Sequence, residues 1–276
     1  MHDLPGLTAA SPIGFLAALG MLRVLVSDRH LNVRLGWRNG HAVVDGIDPD
    51  KAISELAANM EGRNGAPEFN WADTPRKIPP EIYWDACEEM AGDERALGFM
   101  AGWASDTILR NGSVVVTRMD MTSGQQKLLR DLRRLAQRVV IDHFHHALMG
   151  GAYEDQSSFG LDPIAVRTHA HEHRAPTKTR RPGKPGLIWL AFEAIPLHPV
   201  VPVATNREKT TGWRKGSDTA YVWPIWKALL SLEEVSLLRG LPVERLHIRP
   251  GVTEVWASRY GKSGKYGMLF PAQRER

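Results

Sequence analysis

Cysteine is almost missing from this chain: Cys87 is the one thiol in 276 residues. An intramolecular disulfide is therefore excluded, as is a metal site built on clustered thiolates. Long apolar runs are scarce too. The run Ile13–Leu22 is about half the roughly 20 residues that a membrane span requires. The start Met1-His2-Asp3 lacks the basic stretch of a signal peptide, so a cytoplasmic location without a membrane partner is expected. Zinc-protease, EF-hand and phosphate-cradling glycine motifs are absent. Neither Ser157-Ser158 nor Cys87 sits in a recognisable nucleophile signature. No internal repeat is present.

What the chain does have is charge, unevenly divided. Residues 1–100 hold 9 Lys/Arg against 15 Asp/Glu, residues 101–200 hold 13 against 9, and residues 201–276 hold 13 against 7. The net charge of +4 thus conceals an acidic first third and a basic remainder. That division points to a polyanion met by the C-terminal two-thirds, or to a docking partner of complementary charge.

Local signals predict a mixed α+β fold, in which helices combine with a hairpin-built antiparallel sheet and the N-terminal helix is buried. Ser11-Pro12 opens that helix, Ser as N-cap and Pro at the first helical position, and the segment that follows is apolar nearly all round. Gly14, Ala17, Ala18 and Gly20 leave room for another backbone. Asn39-Gly40 predicts a hairpin between Leu31–Trp37 and His41–Asp45, and Asp48-Pro49 caps a helix over 50–60. Further helices are expected over 81–91 and 94–109, the second stopped by Asn111-Gly112, with a strand over 113–118. A long helix is expected from Thr122 or Ser123, where Gln125 and Gln126 give capping-box spacing, to Gly150-Gly151. Residues 187–195 read as an apolar strand, 204–219 as a basic loop, and 224–239 as a helix starting at Trp223-Pro224. Short strands are expected around 254–258 and 266–270. The expected division is an α+β unit over 1–173, a basic loop over 174–186 and a smaller basic α+β part over 187–276.

Three basic groups could contact nucleic acid. Lys127, Arg130, Arg134 and Arg138 are spaced three, four and four, which on one helix gives a row beside the Leu128/Leu132/Leu135/Val139 core stripe. A solvated helix face is the plain alternative. The loop carries Arg174, Lys178, Arg180, Arg181 and Lys184 among prolines and glycines, with no core stripe to explain it. The third group interleaves charge with aromatics: Arg207, Lys209, Trp213, Arg214 and Lys215, then Arg259, Tyr260, Lys262, Lys265 and Tyr266. Aromatic faces stack unpaired bases while cations follow the phosphates. Histidines offer a rival reading as a metal-dependent hydrolase or nuclease. His169, His171 and His173 would share one face of a strand, and His143, His145 and His146 close the expected long helix. The same run also extends the basic loop, so a metal is not the favoured expectation.

The segment Leu7-Thr8-Ala9-Ala10-Ser11-Pro12-Ile13-Gly14-Phe15-Leu16-Ala17-Ala18-Leu19-Gly20-Met21-Leu22-Arg23 resembles the N-terminal segment of CRISPR-associated proteins of type I-G (formerly I-U) systems. Gly102-Trp103-Ala104-Ser105-Asp106, Ser123-Gly124-Gln125-Gln126-Lys127-Leu128-Leu129 and Trp223-Pro224 look like further pieces of that pattern. The resemblance implies a non-catalytic, nucleic-acid-binding subunit or accessory of an RNA-guided effector complex, with no cofactor. Guide RNA or target DNA and other CRISPR-associated subunits would be its partners. A purely structural interaction module is the remaining alternative.

Overall fold

The computed structural model describes residues 1–164, 182–204, 207–214, 219–263 and 266–275. It is a mixed α+β fold with antiparallel sheets. Strands β1 (His2–Thr8), β2 (Arg34–Arg38) and β3 (His41–Asp45) form one sheet in the order β1-β3-β2. The β2–β3 hairpin turns at Asn39-Gly40, both at positive φ. The β1 strand, not expected from the sequence, pairs with β3 through a register shift between Leu4 and Thr8.

Helix α1 (Pro12–Arg23) starts at an N-cap Ser11 whose hydroxyl accepts from Gly14 N, and every one of its residues is buried. It runs on into a π-helical turn, Val24–Asp28. Helices α2 (Pro49–Ala58), α3 (Pro67–Asn70), α4 (Pro80–Glu89) and α5 (Glu94–Trp103) follow. The expected 94–109 helix is thus shorter. Residues Ala104–Arg110 form β4, which turns at Asn111-Gly112 and pairs back onto β5 (Ser113–Val116). The dipeptide is a hairpin turn with both residues at positive φ, not a helix stop.

The expected long helix is two: α6 (Leu128–Ala136) and α7 (Ile141–Met149). Val140 between them is extended, and its N–H donates to His143 Nδ1 at 3.0 Å. Two adjacent β-branched residues, Val139-Val140, favour that break. At the start, Gln126 Oε1 accepts from Ser123 N at 3.2 Å, but in a turn ahead of the helix, whose N-cap is Lys127. The two-residue strands β6 (Glu154–Asp155) and β7 (Pro182–Gly183) pair with each other.

The apolar segment expected as a strand is helix α8 (Pro185–Glu193), buried at every residue. A run that is apolar on all sides shows no period, so strand and helix look alike in sequence. The backbones of α1 and α8 touch. A Cβ at Gly20 would overlap the Leu190 carbonyl, which is why the expected small-residue face exists. Beyond α8 come β8 (Val200–Ala204), β9 (Arg207–Thr210), β10 (Trp213–Arg214) and β11 (Ala220–Trp226). The basic loop expected over 204–219 therefore includes paired strands, and the helix expected from Pro224 is the inside of β11. Its neighbour β10 reaches only Ala220 and Tyr221, so proline's missing N–H at 224 breaks no bond to that strand. The helix there is α9 (Leu232–Gly240), capped by Ser231 and Glu234. The long β12 (Val252–Ser263) pairs with β11, β13 (Tyr266–Leu269) and β14 (Gln273–Arg274), and β12 and β13 lie where tail strands were expected.

One apolar cluster runs from Leu4 to Leu269. Trp223 Nε1 donates to Ala9 O and Trp226 Nε1 to Leu35 O, each at 2.9 Å, so β11 is fastened to the N-terminal sheet. No helix among the described residues is long and apolar enough to cross a membrane.

Two polar clusters lie inside. In the first, Glu193 accepts from Arg63 at 2.8 Å and from Arg23, while Glu68 pairs with Arg63 at 2.5 Å. Arg23 also meets Asp28 at 2.9 Å. Burial works against the Glu193 carboxylate, but Arg63 and Arg23 outweigh it and hold its pKa below the ordinary range. In the second, His198 Nδ1 donates to Ala194 O at 2.8 Å and Nε2 meets the Tyr221 hydroxyl at 2.9 Å. Arg239 stands 3.3 Å from that Nε2 and donates to Val222 O at 3.2 Å. Burial, reinforced by Arg239, pushes His198 down to about 3, and burial pushes Tyr221 up to about 12.

Candidate nucleic-acid interface

The first basic row does not survive as a row. Helix α6 ends at Ala136, so Arg138 lies beyond it, donating to Gln156 Oε1 at 3.3 Å. Arg130 lies 3.9 Å from Asp73 and 3.7 Å from Asp131, and Arg134 lies 3.5 Å from Asp131. Arg134 and Arg138 line a small hollow of about 300 Å³, but Asp131 and Asp155 line it too. Asp73 and Asp131 already meet two of the three arginines, so this face matches a solvated helix surface better than a backbone track.

Of the second group, Arg174, Lys178, Arg180 and Arg181 lie outside the described residues, as do His169, His171 and His173. Lys184 is the N-cap of α8, its ammonium 5.0 Å over the Tyr153 ring. His143 is engaged at the start of α7, its Nε2 3.3 Å from Glu154, rather than closing a helix. Among the described residues no three His, Cys, Asp or Glu side chains gather as a metal would need.

The third group is split by the sheet. Lys215 and Lys265 lie outside the described residues. Arg207 and Lys209 belong to β9, and Lys262 is exposed on β12. Cross-strand pairing sets Arg214 opposite Ala220, and Ala220 opposite Arg259, in one row. The next row is Trp213, Tyr221 and Ser258, and Tyr260 follows Ser258 on that same face. Side chains alternate along a strand, so the arginines point to one side of the sheet and the aromatics to the other. Trp213 is only 2% exposed, with Nε1 directed at Met119 Sδ. It is a core residue, not a stacking platform. Tyr260 is half-buried, its ring 6.3 Å from that of Trp213.

The aromatic face nevertheless meets cations, supplied from elsewhere. A groove of about 600 Å³ lies between the β4–β5 hairpin and the C-terminal sheet. Lys77, Arg110 and Arg118 line it on the hairpin side, Tyr260 and Val200 on the other. Arg118 N donates to Thr210 Oγ1 at 2.9 Å, and Val114 N donates to Ile78 O at 3.0 Å, which fixes the hairpin against both neighbours. Asp120 also lines the groove. Its Oδ1 accepts from Thr122 N and Oγ1 at 3.0 and 2.5 Å, and Arg76 lies 3.4 Å from Oδ2. Burial raises its pKa, against the pull of Thr122 and Arg76.

Lys77, Arg110 and Arg118 were missed in the sequence because they are scattered singly. The available signal was Asn111-Gly112: read as a hairpin turn, it would have set Arg110 at the tip of a ribbon, with Arg118 just beyond the end of that ribbon's second strand. Chemically, three cations facing one partly exposed tyrosine over a valine-lined floor suit a phosphate chain with a base against the ring. No known protein family and no curated protein matches this chain in sequence.

Proposed function

We propose that this protein binds single-stranded nucleic acid in the groove between the β4–β5 hairpin and the C-terminal sheet, as a non-catalytic subunit of an RNA-guided complex. The observation that carries the binding reading is the placement of Lys77, Arg110 and Arg118 across from Tyr260. Among the residues lining the groove there is one carboxylate, Asp120, and no histidine or cysteine. The assignment to a complex is supported by the resemblance of Leu7–Arg23 to type I-G CRISPR-associated proteins. That segment lies almost wholly in the core, so it speaks for a shared architecture rather than a shared contact surface.

Fluorescence anisotropy with a labelled single-stranded RNA, and its DNA counterpart, tests the groove. Log affinity is expected to fall with log salt by about 0.7 per phosphate contact. Arg110→Gln with Arg118→Gln should weaken binding and flatten that slope. Tyr260→Ala should cost about 1–3 kcal/mol while leaving the slope unchanged, because stacking releases no counterions. Unaltered affinity and slope in the double arginine variant would refute the groove. Capture of the tagged protein from its host, with sequencing of the RNA that accompanies it, tests the complex; absence of repeat-derived guide RNA would refute that part alone.

A further inference from the structure

The opposite face of the C-terminal sheet holds a second basic site, and it is already occupied by an anion from the same chain. The cavity there is about 820 Å³. Arg214, Arg259, Arg274 and His247 line it, with Glu244 and Glu275. One oxygen of the Glu275 carboxylate receives Arg214 Nη1 at 2.6 Å, and the other lies 3.3 Å from His247 Nε2. A cationic fork and an imidazole thus grip the two oxygens of a single anionic group, the arrangement that binds two oxygens of a phosphate. Arg214 and Arg259 stand two strands apart, about 10 Å, with the small Ala220 between them in the cross-strand row.

The backbone of Glu275 is held independently of its side chain. Gln273 and Arg274 pair with Ala257 and Trp256, and Glu275 N donates to Val255 O at 2.8 Å. Turning the carboxylate out therefore requires side-chain rotation only, with the β14 pairing intact. The Glu275 side chain retains 18% exposure, so it has an open path to solvent.

We propose that Arg214, His247 and Arg259 form a binding site for a phosphate group, with Glu275 as its internal occupant, displaced when phosphate enters. The site faces away from the Tyr260 groove, so it stands whether or not that groove binds nucleic acid. Two sources share the chemistry, a free phosphate and a phosphodiester backbone.

Glu275→Gln keeps the backbone pairing and removes the competing charge. Inorganic phosphate is titrated into wild-type and E275Q protein and followed through the His247 ring resonances, with labelled single-stranded RNA titrated in parallel by anisotropy. E275Q is expected to bind phosphate about tenfold more tightly, and Arg214→Gln added to E275Q should abolish the gain. A matching gain for the RNA assigns a backbone, and a gain for phosphate alone assigns the free ion; both outcomes support the site. Repeating the titration on Arg110→Gln/Arg118→Gln protein separates the two faces, since the gain should persist there. Equal phosphate affinity of wild-type and E275Q protein, at matched thermal stability, overturns the proposal.

Discussion

Arg63 and Arg239 are both buried arginines resting on aromatic rings, yet their surroundings differ. Arg63 lies 4.9 Å over Phe69 and is met by two carboxylates, Glu193 and Glu68. Arg239 lies 5.4 Å over Phe15 and meets a carbonyl, a tyrosine and a neutral histidine, with no carboxylate paired to it among the described residues. With Arg95, whose Nε lies 3.3 Å from Glu68, the first cluster joins four separate segments around three cations and three carboxylates. The second keeps one positive charge by forbidding another, since His198 is held neutral. Removing a partner from the first leaves opposite charges unbalanced; removing the arginine from the second leaves nothing ionic behind.

The largest expected effect breaks the first cluster. Glu193→Leu leaves Arg23 only Asp28 and Arg63 only Glu68, and Arg63→Met leaves Glu193 only Arg23 and Glu68 only Arg95; either unbalances a buried charge network and should lower stability by about 3–5 kcal/mol in urea denaturation. A loss below about 1 kcal/mol for both would mean that the network contributes no more than surface pairs do.

The second expected effect is pH dependence arising in the second cluster. His198 takes up its proton near 6.5 in the unfolded chain and near 3 in the folded one. Between those values the unfolded state binds more protons. Stability present above pH 6.5 is therefore lost as pH falls toward 3, by at most about 1.4 kcal/mol per unit from this residue. Denaturation midpoints measured from pH 7 to 4 should fall less steeply in His198→Gln; parallel curves would contradict the assignment.

The smallest effect sharpens the contrast. Arg239→Met should change stability at neutral pH by less than about 1.5 kcal/mol, because a lost carbonyl bond is offset by relief from burying a charge. It should also weaken the acid sensitivity, having removed one of the two causes that hold His198 neutral. A loss as large as that of Arg63→Met would show that the two clusters are energetically alike.

Much of the N-terminal half was legible in the sequence. Ser11-Pro12, Asn39-Gly40 and Asp48-Pro49 are local signals whose chemistry acts over three or four residues, and each marks the boundary it suggests. Signals that depend on context misled. Asn111-Gly112 is the same dipeptide as Asn39-Gly40, but the apolar helical pattern before it suggested a helix end. Residues 187–193 and 220–226 are buried on all sides, which erases the period that separates helix from strand. The site was less legible than the fold. Basic residues close in sequence were divided by strand alternation, whereas Lys77, Arg110 and Arg118 were gathered by a hairpin and a loop some thirty residues apart.

The contact between α1 and α8 also bears on how this chain is made. Arg23 and Glu193 are 170 residues apart. At about 5–20 residues per second, a ribosome needs roughly 10–30 s to travel that distance. Throughout that interval an all-apolar helix is outside the tunnel, or near its exit, with its cover not yet synthesised. Of Arg23's charged partners only Asp28, five residues on, is there to meet it. The nascent protein is therefore a natural client for a trigger-factor-like holdase, and pausing the ribosome before codon 185 should prolong that association.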